Sequence, residues 1–139
     1  MNLKNEKEIQ DYVLKNGKEY SPRVLPKDIR RGPVCHCFDN CALVALYNKK
    51  YKYVEGYATN PITKEWMAHA WLTDGENAYD PTWLGFDDFG REVPMPSRYV
   101  GIEMPIKNVV KIMLKTERAG VLVNAWRVPE LAELVPLVI

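Results

Sequence analysis

The chain has 139 residues, 47% of them hydrophobic and 27% charged, which is the ordinary range for one globular domain with a sizeable core. A formal net charge of +1 and a pI near 7.7 give no broad basic face for nucleic acid and no acidic tail. Residues Met1 to Glu8 are polar and charged, and no apolar run approaches the roughly 20 residues of a membrane helix, so the expectation is a cytoplasmic protein without a membrane partner. Cys35, Cys37 and Cys41 are an odd number crowded into seven positions, a poor disulfide framework that suits a reducing compartment.

In chain order, Asn5 and Glu8 have the spacing of a capping box. Ile9, Tyr12 and Val13 share one helical face, and Gly17 marks the end of that helix. From Ser21 to Pro33, three prolines, the charged run Lys27 to Arg31 and Gly32 predict an ordered loop. A second helix begins at Cys37, with Phe38, Cys41, Ala42, Ala45 and Leu46 at helical spacing and Asn48 beyond its end. Tyr51 to Ala58 and Trp66 to Thr73 have the β-branched and aromatic content of strands, and Asp74-Gly75 predicts a turn into Ala78 to Asp80. Pro105 opens a third helix whose Ile106, Val109, Val110, Met113 and Leu114 trace one face, with Gly120 beyond it. Val121 to Ala125 reads as a last short strand. Residues 126 to 139 form an apolar tail that either packs on the core or meets a partner. No repeat or low-complexity segment interrupts this order, so residues 1 to 139 are expected to form one α+β domain with its core over about 33 to 125.

Cys37 is the cysteine placed at a helix N-terminus, where unpaired N–H groups and the dipole stabilise a thiolate. Cys35 lies outside that helix, and Cys41 lies one turn inside it, in the manner of a small buried hydrophobe. A nucleophilic cysteine needs a base within reach and a group to orient the base. Of the two histidines, His69 alternates with Trp71 and Thr73 on one strand face and projects toward a neighbouring helix terminus, whereas His36 points away. A two-residue turn at Asp74 and Gly75 sets Asp80 opposite His69, and a four-residue loop leaves it diagonal on the same face. A three-residue loop sends it to the other face. Trp71 and Trp83 read first as core, and second as an aromatic wall that excludes water from the site.

The run Cys37-Phe38-Asp39-Asn40-Cys41-Ala42, then Tyr53-Val54-Glu55-Gly56-Tyr57, His69-Ala70-Trp71 and Asp80-Pro81-Thr82-Trp83 resembles the transglutaminase-like branch of papain-fold proteins over about residues 33 to 83. It is also similar to short uncharacterised proteins of bacteria and their phages. The resemblance implies a papain-like, transglutaminase-like core in which the cysteine-bearing helix packs on a small antiparallel sheet. It implies Cys37 as nucleophile, His69 as base then acid and Asp80 as orienter, in a peptidase, amidase or transglutaminase reaction. Cys41 departs from the pattern, standing where that family usually has a small residue such as Ala. Tyr20 and Asn40 are the candidates for a second oxyanion donor beside the Cys37 N–H. The expected partner is a protein, peptide or small amide substrate, and no cofactor is expected.

Two other readings compete. Cys35, His36, Cys37 and Cys41 have the donor types for zinc, but Cys35 and Cys37 are closer than the usual ligand pairs. A binding or inhibitor module on the same fold is the other, although a pure binder has no physical need of an intact triad. Arg30 and Arg31 read as solvated loop residues, and Asp87 and Asp88 as a polar turn.

Overall fold

The structure, a computed structural model, describes residues 5–33, 35–83, 89–91 and 95–139. The Asp87 and Asp88 turn lies outside the described residues. Helix α1 spans Glu6–Asn16; Asn5 caps it by accepting a hydrogen bond from the Lys7 amide at 2.8 Å, and the Gly17 amide closes it on the Val13 carbonyl at 2.7 Å. A Cβ on Gly17 would stand 2.5 Å from the Val13 carbonyl oxygen and 2.7 Å from that of Gly101, so the backbones meet only because this residue has no side chain. Helix α2 runs over Cys37–Tyr47 and α3 over Ile106–Thr116. Both starts match the sequence pattern.

The strands are β1 (Lys18–Arg23), β2 (Lys52–Thr59), β3 (Trp66–Thr73), β4 (Asn77–Tyr79) and β5 (Tyr99–Met104). They close into a small barrel in the order β1-β4-β3-β2-β5, with β5 returning to β1. The fold is therefore mixed α and β, with the cysteine-bearing helix packed on β2 and β3. The expected all-antiparallel sheet needs correction: four pairings are antiparallel, but β1 and β4 run parallel. The β3–β4 hairpin leaves an edge that the distant β1 fills by running parallel to β4.

Alternation along β2 and β3 sorts side chains to two cores. Val54, Ala58 and Trp71 turn into the barrel with Tyr20, Ala78 and Tyr99. Tyr53, Tyr57, Ala70 and Leu72 turn outward beneath the helices, with Cys41 and Ala45 of α2, Val13 of α1 and Ile112 of α3. Gly56 and Gly101 face each other across β2 and β5, and a Cβ on either would come within 3.0 Å or 2.8 Å of the Trp71 ring. The indole fills the barrel because these two positions are empty of side chain.

Three sequence expectations change in the fold. Lys18–Arg23 is a strand where Ser21 onward reads as loop, and Tyr99–Met104 is a strand that the sequence pattern does not announce. Val121 to Ala125 is a series of turns, not a strand, closed by Ala125 N–H to the Leu122 carbonyl at 3.2 Å. The tail packs on the core: helix α4 (Pro129–Leu134) and a following 3-10 turn (Val135–Leu137) bury Leu131, Val135 and Val138, while Leu137 and Ile139 stay exposed. Among the described residues no helix is long and apolar enough to cross a membrane.

Candidate active site

Three elements bring Cys37, His69 and Asp80 to one place. Cys37 is the first residue of α2 and is half-buried; His69 lies on β3, 6% exposed; Asp80 follows β4, 1% exposed. The β3–β4 register pairs Leu72 with Tyr79 and Thr73 with Ala78, so the connecting loop has four residues and Asp80 lies diagonal to His69 on the same face. His69 Nε2 meets Asp80 Oδ2 at 2.7 Å. That leaves Nδ1 as the ring nitrogen for the Cys37 thiol, whose proximity helps to raise the His69 pKa.

Asp80 has every acceptor position occupied. Its Oδ1 accepts from the Thr82 and Trp83 amides at 3.0 and 2.9 Å, and its Oδ2 accepts from the Tyr99 hydroxyl at 2.9 Å besides meeting His69. A buried carboxylate so held keeps one orientation. Burial pulls the His69 pKa down, but the Asp80 charge and hydrogen bond, with the Cys37 thiol adding to them, outweigh it and push the pKa up to about 10. The imidazole therefore keeps its proton through neutral pH.

Aromatic rings enclose the imidazole. Trp71 stacks on it at 6.4 Å between centroids, Trp83 meets it edge-on at 6.2 Å, and Tyr99 lies at 6.3 Å. Both expected tryptophans are thus at the site, and Trp71 is core as well. Asn40 is a tie: its amide nitrogen donates to Thr82 Oγ1 at 2.8 Å and to the Pro33 carbonyl at 3.0 Å, joining α2 to the loop before it and to the Asp80 segment. Both amide hydrogens are committed, which leaves none for an oxyanion. Tyr20 packs edge-on against Trp71 at 6.0 Å inside the barrel, where burial and the nearby Glu103 charge push its phenol pKa up. Its ring is part of the barrel packing.

The remaining cysteines differ in setting. Cys35 is exposed, with a left-handed φ of 67°; Cys41 is fully buried, and burial followed by the Asp80 charge pushes its thiol well up. Among the described residues no group of three or more His, Cys, Asp or Glu side chains is arranged to hold a metal ion, so Cys35, His36, Cys37 and Cys41 do not assemble into a zinc site.

Two polar residues escaped the sequence reading. Tyr99 sits in an unannounced strand. Glu55 is fully buried on β2, where it accepts from the Tyr53 hydroxyl at 2.7 Å and from the Val121 and Val123 amides at 2.9 to 3.2 Å. Burial raises its pKa against these lowering bonds. A lone glutamate within Tyr53 to Ala58, where the other residues are apolar or aromatic, was the available signal. Compared with known proteins, this chain matches no family model, no curated protein and no solved structure, and the chemistry of the site rests on its geometry.

Proposed function

We propose that the protein is a cysteine-dependent acyltransferase or hydrolase acting on an amide or ester, with Cys37 as nucleophile, His69 as general acid and base, and Asp80 as orienter. The observation that carries this is the 2.7 Å contact between His69 and a fully engaged Asp80 carboxylate, set beside Cys37 at the start of α2. We read the fold as a papain-like, transglutaminase-like core in one domain, and the protein as cytoplasmic. The substrate is a protein, peptide or small amide.

In this mechanism the Cys37 sulfur attacks the carbonyl carbon, forming a C–S bond and a tetrahedral oxyanion. The first N–H groups of a helix have no intrahelical partner, and among the described residues the earliest α2 amide bonded back is that of Asn40, to the His36 carbonyl at 2.9 Å. The Cys37 amide is therefore available to the oxyanion. Protonated His69 delivers its proton to the leaving amine or alcohol as the C–N or C–O bond breaks, giving a thioester. Water or an amine then attacks the thioester while His69 takes back a proton, and the C–S bond breaks to release the Cys37 thiolate.

An activated ester such as p-nitrophenyl acetate tests the reading. The expected product is an acetyl thioester on Cys37, seen by mass spectrometry of a quenched reaction. It should be absent in Cys37→Ala and formed roughly 10² to 10⁴ times more slowly in His69→Ala. Acetylation that survives Cys37→Ala contradicts the assignment, and a folded protein inert to esters, amides and amine donors points to a binding module instead.

A further inference from the structure

Tyr99 does more than fill the barrel. Its ring is fully buried and edge-on to Trp71 at 5.1 Å, but its hydroxyl is directed to one atom, Asp80 Oδ2, at 2.9 Å. That is the oxygen His69 Nε2 meets at 2.7 Å, whereas Oδ1 is taken by two backbone amides. Two donors on one oxygen compete for the same electron density. The phenol also comes from β5, on the far side of the barrel wall from the β3–β4 hairpin, so it fixes the carboxylate from an independent element.

We propose that Tyr99 is a positioning residue of the site, which pins Asp80 Oδ2 and draws off part of its charge, so that its hydroxyl sets how firmly His69 holds its proton. The inference rests on the functional reading above for its purpose, but its physical content concerns the imidazole alone. Among the described residues, the titratable groups that face this cluster are Asp80 itself, His69 of β3, and Cys37 and Cys41 of α2. Removing the phenol hydroxyl keeps the ring packing, leaves Oδ2 with His69 as its donor, and concentrates the carboxylate charge on that contact.

The test is the titration of the His69 ring by NMR in the full chain, with His36→Gln used to assign the two imidazoles. Tyr99→Phe should raise the His69 pKa by about half a unit or more. Tyr20→Phe, which removes another phenol hydroxyl from the same barrel core, should leave it unchanged. Fluorotyrosine at position 99, a stronger donor, should lower it, and this arm serves if Tyr99→Phe does not fold. An unshifted or lowered pKa in Tyr99→Phe, or equal shifts in both phenylalanine variants, overturns the proposal. The same titration in Cys37→Ala separates it from the acyl-transfer reading: a Tyr99-dependent shift without any acetylation of the wild type retains this inference and sinks that one.

Discussion

At the scale of single residues, the carboxylate of Asp80 governs the site, because it is buried and each oxygen is doubly engaged. Asp80→Asn would turn an amide group toward the imidazole and the phenol, and remove the charge that keeps the ring protonated. The pH dependence follows from the direction of the His69 shift. Its folded pKa, about 10, stands above the ordinary 6.5. The His69 contribution to stability is therefore fully present below pH 6.5 and is lost as pH rises through about 10. Wild-type urea midpoints should decline across that window, and the Asp80→Asn protein should lack this part of the decline. Equal profiles for the two proteins would show that the pair does not titrate in this way. Cys37, His69 and Asp80 were legible as residues because a helix start, a strand face and a hairpin each leave a local pattern. Tyr99 was not, since its importance comes from a partner 19 positions away on a strand whose pairing is entirely long-range.

At the scale of elements, β2 carries the clearest case of a segment held by one side chain. The turns from Val121 to Ala125 are apolar enough to resemble a strand, but their amides at 121 and 123 are satisfied by Glu55. A short apolar run does not say where its backbone donors go, and this one finds a buried carboxylate in place of a neighbouring strand. Glu55→Gln keeps the shape but sets an NH2 group against N–H or O–H donors. It should lower unfolding free energy by about 1–3 kcal/mol in urea titrations. A change close to zero would mean that the Glu55 bonds add nothing to the packing of Leu122 and its neighbours. The β3–β4 hairpin shows the opposite situation. Its turn was legible from Asp74 and Gly75, but its length was not. Asp74 accepts from the amides of Glu76 and Asn77 and from the Asn77 and Tyr79 side chains, which widens the turn to four residues.

At the scale of the whole molecule, closure of the barrel brings the site together. Cys37 arrives on α2, His69 on β3, Asp80 after β4 and Tyr99 on β5, while Asn40 ties the first to the third through Thr82. The mixed α and β character and the three longer helices were readable from periodicity. The closed sheet was not, because β1 and β5 are short, contain Pro22 and Gly101, and gain their stability only by pairing with distant partners. Exposure and chemistry make opposite statements about the cysteines in this assembled state. Cys35 is exposed and Cys37 only half-buried, so access alone would have Cys35 react first. The most direct test is limited iodoacetamide labelling at neutral pH, mapped by mass spectrometry on folded and urea-unfolded protein. The geometry predicts that Cys37 is alkylated first when folded, ahead of Cys35 and with Cys41 untouched, and that this preference disappears on unfolding and in His69→Ala. Alkylation of Cys35 ahead of Cys37 in the folded wild type would contradict it.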